Sequence, residues 1–203
     1  CDKLGNPEQK LSVIHVAGTN GKGSAVAMLS SILQHAGYRV GLFTSPHLKD
    51  FRERMRVDGQ MISEQRVVEF VAYYRERMRS LDLSFFEMTT AMAFDFFSDS
   101  DVEVAVIETG LGGRLDATNI IHPILSIVTN IGMDHTDLLG DTLPAIAREK
   151  AGIIKRGVPV VLGESSEEYD AVFEHRAAEP SSRVSHAQRD IQLLGQEEAE
   201  RGQ

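Results

Sequence analysis

The sequence predicts an α/β fold, a mainly parallel sheet flanked by helices, and three observations carry that expectation. Short apolar runs alternate with helical segments, the pattern of βαβ units. The runs at 102–107 and 124–129 are almost wholly apolar, as strands covered on both faces must be. A glycine-bearing loop at residues 16–24 joins the first run directly to the first helix.

Taken in order, residues 11–16 form the first β-rich run. Helical periodicity follows over 22–36, with Val26, Leu29 and Leu33 in register, and stops at Gly37, the residue type favoured just past a helix end. Residues 38–44 read as a second strand and 45–59 as a charge-rich loop. Ser63 is placed to cap a helix with an apolar stripe of Val67, Val71, Tyr74 and Met78. Residues 85–97 are apolar nearly all round, which predicts a buried helix. Strands are expected at 102–107, 124–129 and 158–162. A helix over 142–155, closed by Gly157, separates the last two. After Glu164 the composition turns polar, so weaker order or a boundary is expected there.

A chain of 203 residues with 42% hydrophobic content suits one domain, or one and part of another. Its single cysteine, Cys1, excludes an internal disulfide framework and fits a reducing, cytoplasmic compartment. No apolar run approaches the roughly 18 residues of a membrane span, and no signal peptide opens the sequence. A net charge of −9 argues against a general nucleic-acid surface, because phosphate backbones demand positive fields. The start at Cys1 and the polar end are those expected of a piece of something longer.

The loop reads Val16-Ala-Gly-Thr-Asn-Gly-Lys-Gly-Ser24. Backbone N–H groups of Gly18, Thr19, Asn20, Gly21, Lys22, Gly23 and Ser24 in such a turn can point at phosphate oxygens, and the following helix adds its dipole. Lys22 is placed to reach the β- and γ-phosphates, and the Ser24 hydroxyl to reach Mg²⁺. The spacing departs from G-x-x-x-x-G-K-[ST], since Val16 stands where the first glycine belongs. The expectation is an ATP or GTP site.

In open α/β sheets ligands sit beyond the carboxyl ends of the strands. The loops after successive strands are the phosphate loop, Thr44-Ser-Pro-His47, Glu108-Thr-Gly-Leu-Gly-Gly-Arg-Leu-Asp116 and Asn130-Ile-Gly-Met-Asp-His135. Four polar, glycine-bearing loops should therefore meet at one edge. Glu108, directly after an apolar strand, is a candidate Mg²⁺ ligand, since that ion takes one or two carboxylates together with phosphate oxygens. His135 lies after the neighbouring strand. Lys150 shares a helix face with Leu143, Ile146, Ala147, Ile153 and Ile154, so an ammonium stands in a packing stripe. It must pair with a carboxylate such as Glu108 or Asp134, snorkel, or lose its charge through chemical modification. The basic run of Lys49, Arg52, Arg54 and Arg56 reads as a solvated face or as a hold on an anionic substrate.

The segments His15–Ser24, Thr44–Leu48, Glu108–Asn119 and Asn130–His135, with Arg148-Glu-Lys-Ala-Gly-Ile-Ile-Lys155, make the chain similar to the N-terminal ATP-binding domain of folylpolyglutamate synthase, including its bifunctional dihydrofolate synthase form, within the Mur ligase superfamily. The resemblance spans residues 11–163, and Val16 in the phosphate loop is that family's own pattern. It implies a P-loop NTPase-like Mur ligase central domain over 1–164. Residues 165–203 are then a polar part of the same domain or a boundary, and a C-terminal domain is absent. It further implies an ATP-dependent amide ligase that phosphorylates a pteroate or folate carboxylate and lets the glutamate amine displace phosphate. The expected small-molecule partners are ATP, dihydropteroate or folate, and L-glutamate, handled by a cytoplasmic monomer.

By resemblance, Lys22 and the backbone from Gly21 to Ser24 cradle the phosphates. Ser24, Ser45 and Glu108 hold one Mg²⁺. Glu108, His135 and Lys150 serve a second, with Lys150 carbamylated. Phe86, Arg114, Asp116 and Ala117 are the expected substrate contacts, an aromatic ring and a carboxylate being what a flat amino-pteridine requires. The competing expectations are another amino-acid ligase of the superfamily and a non-catalytic nucleotide-binding module.

Overall fold

In the computed structural model, which describes residues 1–178 and 181–191, eight strands form one sheet. In chain order these are β1 (Ser12–Ala17), β2 (Val40–Phe43), β3 (Met55–Val57), β4 (Gln60–Met61), β5 (Val104–Glu108), β6 (Leu125–Val128), β7 (Val160–Leu162) and β8 (Val184–His186). Their order across the sheet is β4-β3-β2-β5-β1-β6-β7-β8. Across β2-β5-β1-β6-β7-β8 every pairing is parallel, and β3 pairs antiparallel with both β2 and β4. The expected α/β architecture holds.

Alternate side chains of the central strands feed opposite faces, as a period of two dictates. Ile14, Val16, Val40, Val104 and Val106 pack under α1 (Lys22–His35) around Val26. Val13, Phe43, Ala105 and Ile107 face the other way, against Phe94 and Phe97 of α3 (Phe85–Asp99) and Phe70 of α2 (Glu64–Ser80). Each such fully buried aromatic contributes about 1.5–3 kcal/mol. A second cluster on this face joins Ala17, Val128 and Leu162 to Ile146 of α5 (Leu143–Lys150), with the four-residue α4 (Thr136–Leu139) packed beside it.

Helix starts follow the caps in the sequence. Ser63 Oγ accepts from Arg66 N at 3.1 Å, and Ser84 with Glu87 closes a reciprocal capping box before α3. Thr142 Oγ1 accepts from Ala145 N at 3.3 Å at the head of α5.

Three expectations change. The charged loop over 45–59 contains a 3-10 turn, Phe51–Arg54, and the β3 and β4 hairpin. Only a short alternation marks that hairpin in the sequence. The helix expected over 142–155 stops at Lys150 and continues as a 3-10 turn, Ala151–Ile153. The backbone of the 110–116 loop lies against it there: a Cβ on Gly152 would stand 2.4 Å from Arg114 Cα, so tertiary contact overrides the periodicity.

Beyond Glu164 the chain adds α6 (Asp170–Ala178), β8 and the short α7 (Ala187–Asp190). Val184, Ser185 and His186 pair with Val160, Val161 and Leu162. Tyr169 and Phe173 are buried against the second cluster. Two aromatics in a polar stretch carry that packing, too few to register in composition. The polar tail over 196–203 lies outside the described residues.

Candidate functional site

Sheet order places β2, β5, β1 and β6 side by side, so their carboxyl-end loops adjoin. The phosphate loop leaves β1 at Ala17 and enters α1 through Gly21, which takes a left-handed conformation with φ 79° and offers no side-chain cap. The first-turn N–H groups of α1 are thus left for an anion. Gly18 packs so tightly on β6 that a Cβ there would fall 1.8 Å from Thr129 Oγ1.

The loop is laced to the segment after β6. Thr19 N donates to Asn130 O (3.0 Å) and Asn20 N to Asn130 Oδ1 (2.8 Å). Thr19 Oγ1 donates to Gly132 O and accepts from Gly132 N, and Thr129 Oγ1 donates to Asn20 O at 2.6 Å. These bonds spend the Thr19 backbone N–H and hydroxyl and the Asn20 backbone on holding the loop's shape.

Lys22 Nζ donates to Gly18 O (2.9 Å) and Thr19 O (3.1 Å), the loop's own carbonyls. Ser24 is exposed in the first turn of α1. Glu108, at the end of β5, is buried, and its Oε2 accepts from Ser45 N at 3.2 Å. Burial pushes its carboxyl pKa up, while the Ser45 N–H and the Lys22 ammonium oppose that.

Lys150 is 3% exposed. Its Nζ donates to a carbonyl, Gly18 O at 2.9 Å, rather than to Glu108 or Asp134 as the carboxylate-pair alternative required. Burial and then the Lys22 charge lower its pKa to about 8, with Asp134 opposing. His135 stands exposed on the β6 loop with φ 47°, its Nε2 3.7 Å from Asp134 Oδ2. Among the described residues no three His, Cys, Asp or Glu side chains form a metal-holding cluster. A lone buried carboxylate such as Glu108 is instead the sparse protein donor that Mg²⁺ accepts when phosphate and water complete its shell.

Phe86, Asp116 and Ala117 line one cavity of about 480 Å³. Sequence reasoning did not single out its other walls, Leu111, Leu115, Leu138 and Glu149. Arg114, the fourth expected contact, is not among its walls, but its Nη2 donates to the wall residue Glu149 (Oε1) at 3.0 Å. Asp116 caps the 3-10 turn Ala117–Ile120, with Oδ1 accepting from Thr118 N and Oδ2 from Leu111 N at 2.8 Å. Its carboxylate therefore shapes the loop that walls the cavity.

A larger cavity, about 600 Å³ between α2 and α3, is walled by Phe51, Val67, Phe85, Met88 and Met92, without any phosphate-loop residue. Most of the basic run serves its own loop. Arg52 pairs with Asp50 at 2.7 Å, and buried Arg54 donates to His47 Nδ1 at 2.8 Å.

Comparison with known sequence families decides the kinship: the Mur ligase middle domain matches residues 16–192. The chain belongs to the Mur ligase middle-domain family. Among Mur ligase relatives, the dihydrofolate synthase/folylpolyglutamate synthase of Bacillus subtilis is 46% identical over 182 residues, covering 86% of this chain and 42% of that protein. The crystal structure of folylpolyglutamate synthase from Thermotoga maritima matches with a TM-score of 0.85 at 45% identity, over 91% of this chain and 44% of that one. E. coli FolC in complex with DHPP and ADP matches with a TM-score of 0.86 at 39% identity, over 91% and 44%. The chain thus spans less than half the length of these Mur ligase relatives. No helix among its described residues is long and apolar enough to cross a membrane.

Proposed function

We propose that this chain is the ATP-binding part of a carboxylate–amine ligase that adds L-glutamate to a pteroate or folate carboxylate through an acyl phosphate. One observation carries the reading: the phosphate loop and the cavity are joined at two points. The segment after β5 begins at Thr109, whose N–H donates to Val16 O at 2.9 Å at the head of the phosphate loop, and runs on through Leu111 to Asp116 in the cavity wall. On α5, Lys150 bonds the phosphate loop while its neighbour Glu149 lines the cavity. A carboxylate anchored in the cavity would meet a γ-phosphoryl group held by the loop. The relatives' names, and a FolC complex holding DHPP and ADP, support the same substrates.

Phosphoryl transfer to a carboxylate needs in-line positioning and charge neutralisation more than covalent help. The α1 N-terminus and the N–H groups from Gly21 to Ser24 would hold the phosphates, and Lys22 would exchange its two carbonyls for phosphate oxygens. Ser24, Ser45 and Glu108 would hold one Mg²⁺, with His135 at a second. Bound Mg²⁺ would draw charge from the phosphoryl oxygens. Lys150, with its pKa lowered to about 8, holds more neutral amine near neutral pH than an exposed lysine. That amine can add to CO₂, forming an N–C bond and releasing a proton, and so become an anionic carbamate. The Phe86 ring and Asp116 would take the pterin. In this reading the protein works as a cytoplasmic monomer.

Phosphate release, followed with ATP, Mg²⁺ and each candidate acceptor, tests the proposal. Release is expected only when dihydropteroate or a reduced folate and L-glutamate are both present, with a glutamylated product. Slow hydrolysis indifferent to both would mark a nucleotide-binding module, and turnover with a UDP-muramyl acceptor would mark another ligase of the superfamily; either overturns it.

A further inference from the structure

His15 is a polar residue in the middle of apolar β1, on the sheet face shared with Val13 and Ala17 and fully buried. Its Nε2 lies 2.8 Å from Thr118 Oγ1. The Thr118 hydroxyl lies 2.5 Å from Asp116 Oδ1, which also accepts from Thr118 N at 3.0 Å. Thr118 Oγ1 donates in that contact, so its single hydroxyl proton belongs to the bond with Asp116. What Thr118 presents to His15 is therefore a lone pair, and Nε2 must carry the hydrogen. Burial, aided by the Lys155 charge, lowers the imidazole pKa to about 3, so the ring is neutral. Its other nitrogen, Nδ1, is then a bare acceptor, and it is indeed buried without a hydrogen-bond partner. Leaving a buried polar atom unpaired is costly, which argues that the Nε2 bond is what the histidine is there to make.

We infer that His15 is a positioning residue for the substrate cavity: through Thr118 it locks the Asp116 carboxylate into one orientation, as an acceptor-only wall. A donor chain runs from the sheet centre to the cavity, His15 Nε2–H to Thr118 Oγ1–H to Asp116 Oδ1. Leu111 N holds the second oxygen. With every neighbouring group donating, the wall accepts N–H groups and repels a ligand that offers a lone pair there. It selects an amino-substituted heteroaromatic ring. The identity of that ligand rests on the proposed function, whereas the wiring of the wall does not.

Two measurements on the full chain test the inference. Thr118→Val removes the hydroxyl at constant shape, His15→Leu removes the donor, and His15→Gln returns an amide N–H near the place of Nε2. The first two are expected to raise the KM for dihydropteroate roughly tenfold, with the KM for ATP unchanged. His15→Gln is expected to recover most of the loss. An equal rise for both substrates, or no rise, overturns the positioning role. Independently of any ligand, ¹⁵N NMR of the wild-type imidazole is expected to show the neutral Nε2–H form alone, its proton losing protection from exchange in Thr118→Val. An Nδ1–H form or an imidazolium at neutral pH overturns the inference even if His15→Leu fails to fold. If the wild type binds no pteroate or folate, the proposed function falls, and the tautomer alone decides for or against the relay.

Discussion

Lys22 and Lys150 donate to the same oxygen, the carbonyl of Gly18, each at 2.9 Å. Two ammonium groups on one acceptor repel, and the more deeply buried of them carries the shift: the Lys22 charge is among the causes that lower the Lys150 pKa. Two lysine side chains thus converge on the phosphate loop through one carbonyl.

Lys150 should leave a mark on stability. Its folded pKa, about 8, lies below its unfolded value near 10.5, so the unfolded chain binds the extra proton between those limits. Stability from this group is therefore lowest below pH 8 and rises through that window, by roughly 3 kcal/mol at most. Chemical denaturation of wild type and Lys150→Met is expected to show the variant ahead at pH 7 and the gap closing by pH 10. A pH-independent difference would remove the buried ammonium as its cause.

If Lys150 works as a carbamate, intact-mass measurement under CO₂ is expected to find one added CO₂ on the wild type and none on Lys150→Ala. Activity of that variant is expected to recover with short-chain carboxylates. Absence of both signs would eliminate the carbamate.

Glu108→Gln keeps the volume and the Ser45 contact while removing the charge. Because burial already disfavours that charge, the variant is expected to melt within a few degrees of wild type. Its Mg²⁺-dependent ATP turnover is expected to fall on the order of a hundredfold. Unchanged turnover would take Glu108 out of the metal site.

Gly152→Ala puts a methyl 2.4 Å from Arg114 Cα, a backbone atom that cannot swing aside. The expected cost is about 1–3 kcal/mol, with the 110–116 loop lifted from the 3-10 turn that follows α5. Binding in the Phe86 and Asp116 cavity is expected to weaken more than ATP binding, as read by calorimetry with each ligand. A stability equal to wild type would show that the loop has slack.

The central strands were legible because full burial writes itself as unbroken apolar runs, and the phosphate loop because its glycines stand at a strand–helix junction. Ser45 and Glu108 came with them, each placed by the end of its strand. The β3 and β4 hairpin was not legible, since strands of three and two residues leave too short an alternation to tell from a charged loop. The end of α5 was set by Gly113 and Gly152 meeting chain far away in sequence, information no local window contains. His15 and Thr118 lie within the motif segments, yet the sequence assigns neither a role, for a related reason. A histidine among valines reads as a blemish in a strand until the partner 103 positions later is beside it.

The lacing of Thr19 and Asn20 to Asn130 and Gly132 has a mechanical consequence. Whatever displaces the phosphate loop must carry the stretch bearing Asp134 and His135 along with it, because shearing the two apart would break several short bonds at once. The two sides of the nucleotide cleft therefore behave as one jaw. A relative opening motion would then fall to elements outside this lacing.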